Sequence, residues 1–470
     1  MKYSYIFYLL LFCTGIIAMV TGGPGCANII PPGGGPVDSL PPVLLRAEPP
    51  DSSLQFKEKT ITFTFDEYIE LQNVQQNLLI SPTPEINPAV ESRLKTVIVK
   101  LKDTLDANTT YFIDFGNAIQ DINERNVLKN FRYVFSTGNA FDSLEFTGRV
   151  VLAETGNIDT TLIVMLHKTG EDSAVINKKP RYVTKLDNKG NFHFRFLPPE
   201  TYYVYALKDD NGTRKYFSGE QLFAFAPQPV QISDTTPPLT LYAFAGKKKD
   251  PPTAPGQRTT QENRLIYTTS LSSGIQDLLK DFTFTFSIPL RSFDSSKIRL
   301  STDSTFTPVQ NYTWQKDTAY QTLSLKVAWK ENTAYNLIME KDFAEDTLGK
   351  KLLKTDTISF RTRRLTDYGS LRIRFQNLDL TLNPVLQFVQ NNQLVGSFVL
   401  SSAEFYQPLF LPGSYDLQIL YDDNKNGRWD PGSFFGSRKQ PEIVKRVSKP
   451  LSVKADWDNE ADIITPSRNE

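Results

Sequence analysis

The densest run of oxygen-bearing side chains is Asp422-Asp423-Asn424-Lys425-Asn426-Gly427-Arg428-Trp429-Asp430. Asp422, Asn424 and Asn426 alternate ahead of Gly427, Arg428 would add a backbone carbonyl, and Asp430 stands where a direct or water-mediated ligand belongs. Calcium takes many hard oxygens at short range, and alternate Asp and Asn around a Gly turn offer them to one point. Ser433 occupies the position where an EF-hand has a bidentate Glu, so one strong ligand is missing. The same residues also build a plain turn, because Asp and Asn accept from their own backbone amides and Gly supplies a positive φ. The shorter Asp209-Asp210-Asn211-Gly212 favours the turn in both places. The sequence therefore predicts no required cofactor, with calcium at Asp422, Asn424, Asn426, Arg428 and Asp430 as the alternative.

Other reactive groups are sparse. His167 and His193 sit in apolar alternation with no Ser, Cys or carboxylate motif attached, which predicts solvent-facing or edge histidines. The neighbouring acids Glu171-Asp172, Asp209-Asp210 and Asp422-Asp423 cannot act as glycosidase pairs, since adjacent strand residues point to opposite faces. No G-x-S-x-G, P-loop or H-E-x-x-H run occurs. These observations predict a protein that is not an enzyme. Lys plus Arg and Asp plus Glu both number 52, and this zero net charge gives no field to draw in nucleic acid.

The elements that carry these residues follow from composition. A chain of 470 residues suggests about three or four domains. The 32 Phe, 20 Tyr and 30 Pro suit short strands joined by Pro- and Asn-rich turns. Lys59 to Phe65 and Phe282 to Phe286 alternate apolar and polar residues as half-buried strands do. Downstream of each lies a turn and strand, Asn108 to Ile113 and Asn332 to Leu337, and each block closes on a strand, Tyr133 to Gly138 and Ile358 to Thr362. A second unit follows each copy: Phe194 to Asn211 repeats as Leu409 to Asn424 in the order strand, Pro turn, strand, acidic turn. The chain thus reads A-B-A-B, all-β, in tandem β-sandwiches. Helical period is confined to Asp66 to Leu79 and Ser273 to Leu279.

At the N-terminus, Lys2 precedes an apolar run from Tyr3 to Val20 and a small-residue zone before Cys26. This pattern predicts a secretory signal, with a retained transmembrane anchor as the alternative. Gly25-Cys26 resembles a bacterial lipobox, although Gly23 stands where Leu is usual. That resemblance implies lipidation of Cys26. Cys13 would leave with the signal, and the mature chain would carry neither free thiol nor disulfide.

The A unit resembles the bacterial Ig-like domain of surface-layer proteins, through Pro41-Pro42-Val43, Pro49-Pro50-Asp51, Asn108 to Tyr111, Asp121 to Glu124 and Phe135 to Gly138. The B unit is similar to carboxypeptidase-regulatory or prealbumin-like sandwiches, through Gly148-Arg149-Val150, Asp187 to Phe192 and Leu197-Pro198-Pro199. The tether Gly34 to Asp38 is similar to that of Ig-like lipoproteins from Bacteroidota. Together these imply a signal peptide at 1–25, a lipidated flexible tether at 26–40, and an Ig-like domain at 41–140. A prealbumin-like sandwich at 141–245, a linker at 246–262, a second Ig-like domain at 263–365, a second sandwich at 366–456 and a polar tail at 457–470 complete the expected map. With no cross-links and a polar linker, residues 41–245 are expected to fold without residues 263–456.

Asp followed by Ser or Thr and a small or apolar residue recurs at Ser39, Thr104, Ser143, Thr160, Ser173, Thr235, Thr318, Thr347 and Thr357. This resembles the O-glycosylation acceptor of exported Bacteroidota proteins, and it also favours turns. The expected function is a non-enzymatic outer-membrane lipoprotein, a rod of sandwiches that binds a protein partner in the cell envelope as part of an assembly or transport complex. The alternative is an adhesin or glycan-binding surface lipoprotein using Tyr202, Tyr203, Trp314 or Trp429 as a platform. Surface and periplasmic faces both stay open.

Overall fold

The computed structural model describes residues 9–14, 37–246, 264–302 and 305–468. Cys26, most of the expected tether and nearly all of the 246–262 linker lie outside the described residues. Among the described residues no helix is long and apolar enough to cross a membrane.

Alternation sets the strands of the A units. In Thr60–Phe65 the residues Ile61, Phe63 and Phe65 are buried while the threonines face outward, and Phe282–Phe286 buries its three Phe in the same way. The first A unit stacks a sheet ordered Leu44–Glu48, Thr60–Phe65, Thr96–Lys100, Ala89–Arg93 against one ordered Leu79–Ser81, Thr110–Asp114, Arg132–Ser136. The second A unit repeats that order with Tyr267–Thr269, Phe282–Phe286, Thr322–Val327, Tyr312–Lys316 and with Ile298–Thr302, Ala334–Met339, Asp356–Thr362. It adds Thr307–Pro308 beside Ile298–Thr302 and Ile275–Gln276 beside Asp356–Thr362.

The B units also match strand for strand. The first has a three-stranded sheet, Asn191–Leu197, Leu144–Leu152, Leu239–Ala243, facing a larger one, Tyr182–Lys185, Leu162–His167, Thr201–Lys208, Phe223–Phe225. The second has Glu404–Phe410, Gly369–Gln376, Asp458–Ile464 facing Gln393–Val399, Pro384–Gln390, Gly413–Tyr421, Ile443–Arg446. Four hydrophobic clusters, one per unit, fill the spaces between facing sheets. The protein is thus a tandem array of β-sandwiches.

Two expectations need correction. Residues 457–470 are not a polar tail, because Asp458–Ile464 forms a parallel edge strand with Gly369–Gln376, in register from Ser370 with Asp458 to Gln376 with Ile464. Ile463 is buried and Ala461 packs on the core, while Glu460 faces outward to Arg374 at 2.8 Å. The run reads as polar because the acids occupy the solvent face, while the inner face consists of Asn459, Ala461 and Ile463. Helix is also scarcer than expected. Asp66 to Leu79 contains one turn, Val74–Asn77, and Ser273 to Leu279 contains a turn and the strand Ile275–Gln276, while an unforeseen single turn spans Ala174–Asn177.

Candidate functional site

The larger sheet of each B unit is apolar on both faces. In the first B unit Val164, Leu166, Val204 and Ala206 point into its own core, while Met165, Tyr205 and Leu207 point the other way. In the second, Leu386, Phe388, Leu417 and Ile419 point inward and Val385, Leu420 and Val444 outward. A sheet with two apolar faces needs cover on both. Here the B units cover each other, and the covering piece is the long connection between Gly413–Tyr421 and Ile443–Arg446.

That connection begins with the acidic loop. The buried Asp422 carboxylate accepts from the amides of Lys425 at 2.7 Å, Asn426 at 3.3 Å and Gly427 at 2.6 Å. Asn424 Oδ1 accepts from the Asn426 amide at 3.0 Å and Asn426 Oδ1 from the Arg428 amide at 2.7 Å, while both Asn side chains donate Nδ2 to Asp430 Oδ2. Each of these Asp and Asn side chains is engaged within the loop, and Asp430 receives amide donors. Among the described residues no three His, Cys, Asp or Glu side chains group to hold a metal. These bonds make the run an ordered turn, and Asp209 in the first B unit caps its shorter turn likewise through the amides of Thr213 and Arg214.

Sequence reasoning missed Glu442, which holds the base of this connection. It is buried and accepts from the amides of Asp423 at 3.1 Å and Asp430 at 2.9 Å, and its carbonyl accepts from Trp429 Nε1 at 2.8 Å. Burial raises its pKa above the usual carboxylate value, and the nearby charges of Asp422 and Asp430 add to this.

Beyond Asp430 the chain enters the neighbouring unit. Phe434 inserts among Tyr205, Phe223 and Phe225 of the first B unit, with ring centroids 5.6, 5.1 and 5.3 Å away. Arg438 donates to Asp172 and to the Gly170 carbonyl, Gln440 donates to the Phe225 carbonyl at 3.0 Å, and the Val444 amide donates to the Ala153 carbonyl at 2.9 Å. Gly432 lies so close to Phe244 that a Cβ there would stand 2.8 Å from the ring, which only glycine avoids. Alongside the interior cluster that each unit keeps, the halves share a fifth apolar cluster built from both B units. A string of units touching only chain neighbours is not what the chain forms.

Beside this contact runs a groove of about 1000 Å³, walled on one side by Asn157 and Ala245 and on the other by Leu394, Trp429 and Arg446. Its lining includes the paired amides of Gln387 and Gln418, where Gln418 Nε2 donates to Gln387 Oε1 at 2.8 Å. The expected aromatic platform does not form. Tyr202 is fully buried in the core, and Tyr203, Trp314 and Trp429 are half-buried in apolar clusters. His167 is likewise not solvent-facing: it is buried edge-on to Tyr205 at 5.5 Å, with Nε2 unpartnered. Burial, assisted by the Lys178 charge, lowers its pKa to about 4. His193 is half-exposed and meets Glu145 at 2.8 Å.

All nine hydroxyl residues of the Asp-Ser/Thr set, Ser39, Thr104, Ser143, Thr160, Ser173, Thr235, Thr318, Thr347 and Thr357, are exposed. Several of the preceding aspartates bind turns: Asp159 accepts from the Thr161 amide, Asp317 from Gln321, and Asp346 from Leu348 and Lys350.

Comparison with known proteins begins at the first A unit, where residues 38–137 match the family model of a bacterial Ig-like domain. That stretch is an Ig-like domain. No curated protein matches the chain. Among solved structures, the Bacillus anthracis TIE protein aligns at 12% identity over 91% of this chain and 75% of its own, with a TM-score of 0.18. Native alpha-2-macroglobulin from Escherichia coli, in a structure spanning domains MG0-NIE-MG1, aligns at 15% identity over 39% and 70%, with a TM-score of 0.19. The N-terminal part of the bacterial S-layer protein SbsC aligns at 14% identity over 36% and 40%, with a TM-score of 0.16. TM-scores this low define no shared arrangement of the whole chain. The Ig-like match fits an extracellular or cell-envelope chain with a surface or scaffold role, and it indicates no catalytic family.

Proposed function

We propose that the chain is an outer-membrane lipoprotein of the Bacteroidota type, anchored through Cys26, that works without catalysis as a protein-interaction scaffold within an envelope assembly or transport complex. The observation that carries this reading is the docking of the two B units, which fixes a groove of about 1000 Å³ between rigid sheets. Loops and grooves held on a rigid frame suit recognition of another macromolecule. Purification of the anchored chain from native membranes tests it. A stoichiometric protein partner supports the scaffold, and its absence alongside retained glycan supports an adhesin. The Gln387–Gln418 pair and Asn157 in the groove favour that second reading, because side-chain amides suit sugar hydroxyls.

Anchoring has its own test. Cys26→Ser is expected to move the chain from the membrane fraction to the soluble fraction. Continued membrane residence with the apolar N-terminus still attached by mass would establish a spanning anchor instead. Exposure of all nine Asp-Ser/Thr hydroxyls supports O-glycosylation at a subset of them, readable as added mass on the exported chain. For the acidic loop we favour a structural turn that needs no calcium, on the strength of its internal hydrogen bonds.

A further inference from the structure

The repeat within the chain shows how one sheet edge is treated twice. In the first half, the outer strand of the larger B sheet, Tyr182–Lys185, is flanked by the preceding A unit. The Thr83 amide donates to the Arg181 carbonyl at 2.8 Å, Ser81 Oγ donates to the Val183 carbonyl at 3.4 Å, and Lys185 Nζ reaches the Gln76 carbonyl at 2.7 Å. In the second half the equivalent outer strand is Gln393–Val399, and the A-unit strand that would flank it, Ile298–Thr302, pairs with its own hairpin partner Thr307–Pro308. Gln393–Val399 pairs with Pro384–Gln390 alone, and among the described residues no strand lies along its other edge.

Sheet edges are normally blunted by charge or proline. The other seven-residue outer strands of the B units follow that rule: Asn191–Leu197 carries Arg195, Glu404–Phe410 carries Glu404 and Pro408, and Asp458–Ile464 carries three acids. Gln393–Val399 reads QLVGSFV, without charge or proline. Leu394, Val395 and Val399 are 55%, 44% and 67% exposed. The one irregularity, a bulge near Val395, lies at the hairpin end and leaves Gly396 to Val399 in regular register with Phe388 to Val385.

We propose that Gln393–Val399 is a self-association edge that pairs antiparallel with the same strand of a second copy. An antiparallel edge is complementary to itself, so a twofold dimer needs only one such strand per chain. An uncharged strand meets its own copy without like-charge repulsion. A twofold axis at Ser397 sets Ser397 opposite itself and Gly396 opposite Phe398 of the second copy, both within the regular stretch, and brings the exposed Val399 against the second copy.

This geometry makes a direct test. Ser397→Cys in the full chain places two thiols across the axis, at a spacing that opposed strand residues and disulfides share. Mild oxidation of native membranes is expected to give a reducible dimer from Ser397→Cys and none from Thr313→Cys, a control on the outer strand Tyr312–Lys316. Adding Val399→Lys to Ser397→Cys is expected to cut the cross-linked fraction about tenfold, with the melting temperature unchanged, as a loss of ~1.4 kcal/mol in pairing would do. Equal cross-linking by both cysteines, persistence with Val399→Lys, or a chain that stays monomeric would overturn the proposal. Leu400 donates to the Pro384 carbonyl, so by alternation the Ser397 and Val399 amides face the open edge; their resistance to hydrogen exchange in a monomer would also overturn the proposal, since another strand would then occupy that edge.

Discussion

Phe434→Ala tests whether the two B units act as one body. The ring is buried, 5.1 to 5.6 Å from three aromatic rings that stand on strands of the first B unit. Deleting a packed Phe typically costs about 3–5 kcal/mol, the more so where the walls cannot collapse into the space. Strands of a hydrogen-bonded sheet are such walls, so the upper part of that range is expected. The loss falls on docking, because each B unit keeps its own interior cluster. What remains at the junction is mostly polar: Arg438 on Asp172, Gln440 on the Phe225 carbonyl, and Val444 on Ala153. Calorimetry of the full chain is expected to show B-unit melting split into separate steps, with protease cleavage appearing between residues 430 and 440. An unsplit transition shifted by less than about 1 kcal/mol, with that segment still protected, would refute the reasoning, since a buried aromatic anchor cannot be removed so cheaply.

His167 gives a pH dependence of known sign. Its folded pKa of about 4 lies below the ordinary 6.5, so the unfolded chain takes up the proton first. Its contribution is fully present above about pH 6.5 and is lost as pH falls through 4, on the order of 3 kcal/mol in all. Denaturant titrations of the wild type and His167→Phe should diverge over this window and run parallel above it; parallel curves throughout would show that the histidine is not buried. Asp422→Ala strips the acceptor from the amides of Lys425, Asn426 and Gly427, and a loss of about 1–3 kcal/mol is expected. Thermal melts should be the same with calcium and with chelator, and a calcium-dependent rise that Asp422→Ala abolishes would make the loop a metal site.

Strand alternation made the A units legible, since one face of Thr60–Phe65 is Thr and the other Ile and Phe. The acidic loop was legible as a turn for a similar reason, its bonds being local. Contacts between units were not, because Phe434 looks like any loop aromatic until the surface that receives it is known. A signal was nevertheless present. Leu162 to Leu166 and Tyr202 to Leu207 are unbroken apolar runs, and a strand apolar on both faces implies cover on both sides. Glu442 left no such trace, as its partners Asp423 and Asp430 lie 19 and 12 residues away across the connection. The closing strand Asp458–Ile464 was hidden by its acids, which occupy only the outer face.

The parallel pairing of Asp458–Ile464 with Gly369–Gln376 has a bearing on how the protein is made. The strand that closes the three-stranded sheet is the latest of the unit to leave the ribosome, and its partner is among the earliest. Until Ile464 emerges, the Gly369–Gln376 strand lacks one neighbour and the core around Leu371 and Ile373 stays open on that side. A chain passing end-first through an export channel would carry the second B unit unfinished until residues 458–464 had passed. Unfolded passage is helped by this, and any product cut short before residue 458 arrives with an exposed core that envelope proteases can recognise.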